Sequence, residues 1–190
     1  QYASGEIVLP LYSDRFGGSI MAISGDSGVT WEASDPLLGF GNIQPALLQT
    51  DDGKLFAWMR EGGTRKRGRY SVSTTQGRTW SPVLQTTLPN PGSKIAVTEL
   101  GNGDWIMAYN PLVDGRHSLA LAISSDEGEN WQELCMLDSS TPDENNYSYP
   151  CVIETSDGRV HVTYSYRERK SGATFKSIKH VVLRPDDTSA

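Results

Sequence analysis

The 190 residues predict an all-β fold built from repeated four-stranded antiparallel units. Three observations carry that reading: an octapeptide recurs three times, an Asx-Gly pair alternates with it, and no stretch competes with helical apolar periodicity. The octapeptide reads Ser24-Gly25-Asp26-Ser27-Gly28-Val29-Thr30-Trp31, then Ser73-Thr74-Thr75-Gln76-Gly77-Arg78-Thr79-Trp80, then Ser124-Ser125-Asp126-Glu127-Gly128-Glu129-Asn130-Trp131, with copies starting 49 and 51 residues apart. Each copy follows a short apolar strand (Ser19–Ile23, Arg69–Val72, Leu119–Ile123) and precedes another, so it is a hairpin turn. In such a turn Asp tolerates the left-handed conformation and accepts backbone N–H bonds, Gly supplies positive φ, and Trp folds back as a cover.

The second signature is Thr50-Asp51-Asp52-Gly53, Leu100-Gly101-Asn102-Gly103 and Thr155-Ser156-Asp157-Gly158, each between strand-like runs. Asp-Gly and Asn-Gly are the strongest short hairpin signals. Each unit therefore reads strand, Asx-Gly turn, strand, loop, strand, octapeptide turn, strand, which is a β-propeller blade. The first unit lacks its Asx-Gly hairpin, two are complete, and the last runs from Tyr149 without an octapeptide, so about four blades are present.

Composition narrows the function. Hydrophobic residues make up 37% and charged residues 21%, a globular balance, and no apolar run approaches the ~20 residues of a membrane span. A soluble chain with no membrane partner is expected. The net charge of −6 argues against a nucleic-acid groove, which needs a dominant basic face. The segment Arg60 to Arg69 is locally basic and reads either as an anion-attracting loop or as a solvated one. Cys135 and Cys151 read as buried thiols rather than a disulfide, and without CxxC or His/Cys ligand spacing no metal or cofactor is expected. Gln1-Tyr2-Ala3-Ser4-Gly5 has neither the basic nor the apolar stretch of a targeting signal, and the compartment stays open.

The repeat also supplies geometry. Counted from the Asx-Gly glycines, Gln44, Lys94 and Tyr149 start the innermost strands, and Arg60, Asn110 and Ser165 end the strands that return. Phe16, Arg65 and Arg116 precede the third strands on the same side. Gln44, Arg60, Arg65, Lys94, Arg116, His117, Tyr147 and Tyr149 are thus expected on one face, opposite the octapeptides. Arginines beside a tyrosine suit a carboxylate, because a guanidinium fork binds it in a bidentate manner and lysine offers only a point charge.

The octapeptide resembles the Asp box, or BNR repeat, of sialidases and sialidase-like six-bladed propellers. The stretches from Gln44-Pro45 to Arg60, Asn110-Pro111 to Arg116 and Tyr149 to Tyr164 resemble blades of that family in the same order. In the family the Asp box lies away from the active site, so it marks architecture rather than chemistry. Six blades at this period need about 300 residues, so the resemblance implies the C-terminal part of a longer propeller, residues 1–190 forming one segment of it. A shortened relative and a closed four-bladed propeller are the other options. An open arc would self-associate through its exposed blade edges.

The resemblance also implies roles. In that family three arginines hold the substrate carboxylate, a tyrosine attacks the anomeric carbon, a glutamate deprotonates it, and an aspartate is acid/base. Arg60 matches the second arginine, Arg116 the third and Tyr149 the nucleophile, while Gln44 stands where the glutamate is expected. An amide is no base, and the first arginine and the aspartate fall in blades that precede this chain. Glu61 is the nearest carboxylate in sequence to Arg60 and the candidate replacement.

Three function classes follow. The leading one is a sialidase-like exo-glycoside hydrolase, or a piece of one, recognising an acidic glycan or sugar carboxylate. The alternatives are a uronate-directed lyase or hydrolase with Tyr149 as acid or base, and a non-catalytic carbohydrate-binding propeller, which Gln44 favours. Plainer readings stand beside these. Arg60 and Arg116 serve equally as loop arginines, Tyr149 as a channel cap, and His117 as a loop histidine. His161 and His180 read as strand-surface residues, and Tyr164 and Tyr166 as packing residues.

Overall fold

The computed structural model describes residues 5–39, 41–170 and 172–184; Gln1 to Ser4, read above for a targeting signal, lie outside them. The described residues form fourteen strands and no helix. They divide into two compact units, 1–87 and 88–190, taken here one at a time.

In the first unit β1 (Ile7–Ser13), β2 (Gly18–Ser24) and β3 (Glu32–Ala33) make a three-stranded sheet. A four-stranded sheet follows in the order β4 (Asn42–Gln49), β5 (Leu55–Glu61), β6 (Arg67–Ser73) and β7 (Leu84–Pro89). Met21, Ile23 and Leu37 pack on Ala57 and Met59, joining the two sheets through one apolar cluster.

The second unit repeats the plan. The strands β8 (Ala96–Glu99), β9 (Trp105–Tyr109), β10 (Ser118–Ser124) and β11 (Gln132–Ser139) form one sheet, and β12 (Asn145–Glu154), β13 (Val160–Lys170) and β14 (Ala173–Leu183) form the other. The seven residues of β10 are all buried, as a middle strand covered on both faces requires. Leu119, Leu121 and Ile106 pack against Val152, Val160, Val162 and Tyr164. The two three-stranded sheets are the first and last, where the sequence lacks an Asx-Gly pair and an octapeptide.

The octapeptide turns are locally equivalent. The Ser24, Ser73 and Ser124 hydroxyls each accept the N–H of the glycine four residues on, at 2.8, 2.9 and 2.9 Å. Asp26 accepts Thr30 N–H at 2.8 Å and Thr30 Oγ1 at 2.6 Å, and Asp126 accepts Asn130 N–H at 2.8 Å and Nδ2 at 2.7 Å. In the middle copy Thr75 replaces the aspartate and takes Thr79 N–H at 2.9 Å. Trp31 and Trp80 close their turns by donating Nε1–H to Gly28 and Gly77 carbonyls, at 3.0 and 2.8 Å. One detail differs from expectation. The left-handed residue other than glycine is the fourth, Ser27, Gln76 or Glu127 (φ 61°, 55° and 55°), while Asp26 and Asp126 stay outside that region and reach four residues ahead with both oxygens.

Two further sequence readings meet the structure here. Cys135 and Cys151 are not joined in a disulfide, but neither is buried, and Cys151 is exposed. Strand alternation is the reason: Val152 takes the core side of β12, which turns Cys151 outward. Tyr164 packs as expected, buried with its hydroxyl donated to Asp138 at 2.5 Å, and His161 and His180 are surface residues whose Nδ1 and Nε2 lie 3.0 Å apart.

The Asp26 carboxyl is held down from 3.8 to about 2, first by the Thr30 hydroxyl and then by the Thr30 N–H and Ser24. Its contribution to stability is therefore present above pH 3.8 and lost as pH falls through about 2. In Asp26→Asn that acid limb should be flatter than in the parent when melting temperature is followed from pH 4 to pH 2; parallel limbs would mean the turn bonds are not made in solution.

Candidate functional site

Two inner strands are kinked at the same blade position. Gln44 in β4 and Tyr149 in β12 have φ of 56° and 55°, each precedes a proline, and each sits where the ladder to the next strand slips. Left-handed geometry strains a residue with a Cβ, and proline crowds the residue before it, so both kinks are held by their surroundings. Such bulges re-aim a side chain out of the pleat. Tyr147 and Val152, on either side of the slip, are buried, while Tyr149 is 45% exposed.

Lys94 holds the second kink. Its Nζ donates to the Pro150 carbonyl at 2.9 Å, and burial pushes its ammonium below the ordinary value, with nearby Cys151 acting the other way. Arg116 lies over the Tyr149 ring at 5.4 Å and donates Nη2–H to the Gly92 carbonyl at 2.8 Å. Both residues line a cavity of about 750 Å³, with Asn146, Ser148, Arg167 and Lys176 also in its wall and no Asp or Glu among its lining. His117 borders a smaller cleft of about 230 Å³ that it shares with Arg116, Arg167 and Glu144.

Two residues expected beside them are structural. Tyr147 is buried and stacked on Tyr166 at 5.6 Å, and Asn110 is buried, donating to the Ser118 and Tyr147 carbonyls at 2.6 and 2.9 Å. Asn110 thereby ties the end of β9 to β10 and β12 and fixes the start of the kinked stretch.

In the first unit Gln44 Nε2 donates to the Tyr12 hydroxyl at 3.2 Å, and Gln44 Oε1 is buried without a hydrogen-bond partner. Arg60 reaches Asp14 at 3.4 Å; its side chain is 16% exposed and its Nε is buried without a partner. Glu61 is not a replacement base. Its carboxylate is 1% exposed, paired to Arg69 at 3.0 Å, and accepts the Arg65 and Lys66 N–H groups at 3.1 and 2.5 Å. Three donors engage the carboxylate, and the basic loop wraps it with its own backbone, leaving Arg69 bound between Glu61 and Asn42.

A family model described as "BNR repeat-like domain" matches residues 1–162. The chain belongs to that family. An anhydrosialidase of Macrobdella decora is 24% identical over 187 residues, covering 85% of this chain and 23% of the relative. Among solved structures, NanB sialidase of Streptococcus pneumoniae superposes with TM-score 0.77 at 20% identity, over 98% of this chain and 30% of that one. The leech intramolecular trans-sialidase gives 0.74 at 21% identity, over 96% and 30%, and Trypanosoma rangeli sialidase 0.72 at 17%, over 93% and 30%. These likenesses show the fold, a sialidase-type β-propeller, and this BNR chain spans less than a third of those relatives' lengths.

Of the residues singled out in the BNR sequence, Arg116, Tyr149 and Lys94 come together in the second unit, with His117 in the adjoining cleft. Gln44 and Arg60 belong to the first unit, whose site also includes Tyr12 and Asp14. Asp14, Arg167 and Lys176 were missed. They lie on a turn, on the middle strand β13 and on the edge strand β14, at positions that the three-copy repeat does not reproduce. A signal for the kinks was present: Gln44-Pro45 and Tyr149-Pro150 fall at one blade position, where the middle blade has Lys94-Ile95 and no positive φ.

Left-handed strain at Tyr149 gives a stability test. Because glycine adopts that φ without a Cβ clash, Tyr149→Gly should be more stable than Tyr149→Ala by about 1 kcal/mol in denaturant titration. The reverse order would mean that the kink relaxes in solution.

Proposed function

We propose that the cavity beside Tyr149 receives the carboxylate-bearing ring of an acidic sugar, in a glycan-active protein of the sialidase type. The observation that carries this reading is the conjunction at Tyr149: a strained kink held by Lys94, a guanidinium 5.4 Å from the ring, and a cavity wall with no acidic residue. Strain retained at an exposed residue is a mark of function rather than of packing. The names of the similar proteins, sialidases and an anhydrosialidase, support an acidic sugar as the ligand class.

In this reading Arg116 binds the carboxylate through its free donor edge, and Arg60 has the same assignment in the first unit, supported by its unpartnered Nε. Tyr149 is the nucleophile: its phenol oxygen bonds to the anomeric carbon as the glycosidic bond breaks, and its proton must pass to a base. Lys94 is a positioning residue, and His117 borders the approach to Arg116. A second reading, binding without turnover, is favoured by Gln44, which supplies an amide where a base is needed, and by the full engagement of Glu61.

Binding is tested by NMR titration of the 190-residue chain with sialic acid and with a neutral hexosamine. The acidic sugar should shift resonances around Tyr149 and the neutral one should not. Arg116→Lys keeps the charge but removes the fork, and should weaken the acidic sugar by about 1–3 kcal/mol. Equal response to both sugars would overturn the reading.

Turnover is tested separately with an activated aryl sialoside. No hydrolysis above background is expected from this chain, because loss of general acid–base assistance costs about 10²–10⁴-fold in rate. Hydrolysis abolished by Tyr149→Phe would reject the binding-only reading and require a base other than Gln44 or Glu61.

A further inference from the structure

The cavity beside Tyr149 holds more positive charge than one sugar carboxylate needs. Besides Arg116, its wall includes Arg167 on β13 and Lys176 on β14, which are direct cross-strand partners. Like charges set directly opposite on antiparallel strands destabilise the sheet. Neither cation is ion-paired among the described residues, whereas their neighbours on the same strands are: Arg169 with Asp143 at 3.7 Å and Lys179 with Asp138 at 2.5 Å. The protein has net charge −6, so carboxylates are plentiful, and yet this pair faces a cavity whose lining contains none.

Position along the strand sets the spacing. Ser165 pairs with Ser148, beside the Tyr149 kink, and Arg167 lies two residues further on the same face of β13. Two residues of strand advance about 7 Å, which is on the order of one sugar residue. From these observations we infer that Arg167 and Lys176 form a second anion subsite, for an acidic group on the sugar next to the one at Tyr149. The ligand class is an acidic oligosaccharide with two negative groups on adjacent residues, and the inference rests on the acidic-sugar reading above. An anion between the two side chains removes their mutual repulsion, and Arg167 offers it a fork where Lys176 offers a point charge.

The test compares three ligands by calorimetry at low and at moderate salt: sialyllactose, a sialyl-sialic acid disaccharide, and a sialyllactose sulfated on the galactose. The two dianionic ligands should bind about tenfold more tightly than sialyllactose, with a steeper loss on adding salt. A preference confined to the disialyl ligand assigns the subsite to a carboxylate, and one confined to the sulfated ligand assigns it to a sulfate. In Lys176→Gln and in Arg167→Gln the affinity ratio should fall toward one, and in Lys176→Arg it should persist; melting curves verify that each variant is folded. Sialyllactose binding that depends on Arg116, with no preference for either dianion, would overturn the subsite and leave the proposed function standing. Binding of none of the three would overturn both.

Discussion

The second unit's chemistry depends on one backbone constraint, the left-handed Tyr149 locked ahead of Pro150. A regular strand would alternate Tyr147, Tyr149 and Cys151 on one face and leave nothing projecting from the pleat. The kink breaks that alternation between Ser148 and Cys151, so Tyr147 enters the core, Tyr149 stands out beside Arg116, and Val152 returns to the apolar side. Holding a residue with a Cβ in this conformation costs free energy, and the offset comes from both sides: Asn110 bonds the Tyr147 carbonyl and Lys94 bonds that of Pro150.

That constraint gives Lys94 a role different in kind from Arg116. An ammonium taken out of water loses hydration, which is why burial depresses it, and a single carbonyl acceptor with a thiol nearby restores only part of the loss. Its value lies in aiming the tyrosine. Arg116, by contrast, is anchored to the Gly92 carbonyl and lies over the Tyr149 ring in the cavity wall. The same division runs through the first unit, where Arg69 is fully committed to Glu61 and Asn42 while Arg60 retains an unpartnered nitrogen. Arginines a few residues apart in one basic run therefore do unlike things, one closing its own loop and one reaching Asp14 on the turn after β1.

Periodicity made the architecture legible. The octapeptide and the Asx-Gly pair are local devices whose hydrogen bonds run within four residues, so their chemistry is written in adjacent letters and survives translation into turns at Ser24, Ser73 and Ser124. The same periodicity placed Arg116 and Tyr149 at the same end of their strands, and they do meet. It misjudged Tyr147, because position along a strand says which end a residue occupies and not which side of a slipped ladder it takes. It was silent on Arg167 and Lys176, whose pairing depends on the register of β13 with β14.

The amino-acid order was thus sufficient for the class of fold, the number of sheets, the turns and the residue types at the blade ends. Each of these follows from interactions between residues close in sequence, or from a spacing repeated three times. The burial of Glu61, the exposure of Cys151, the clamp on Pro150 and the opposed cations on the cavity wall arise from side chains that meet across strands. The Cys151 and Pro150 arrangements depend on a one-residue slip beside a proline, which exchanges inside for outside at every position beyond it, and the opposed cations depend on the unbroken register of β13 with β14.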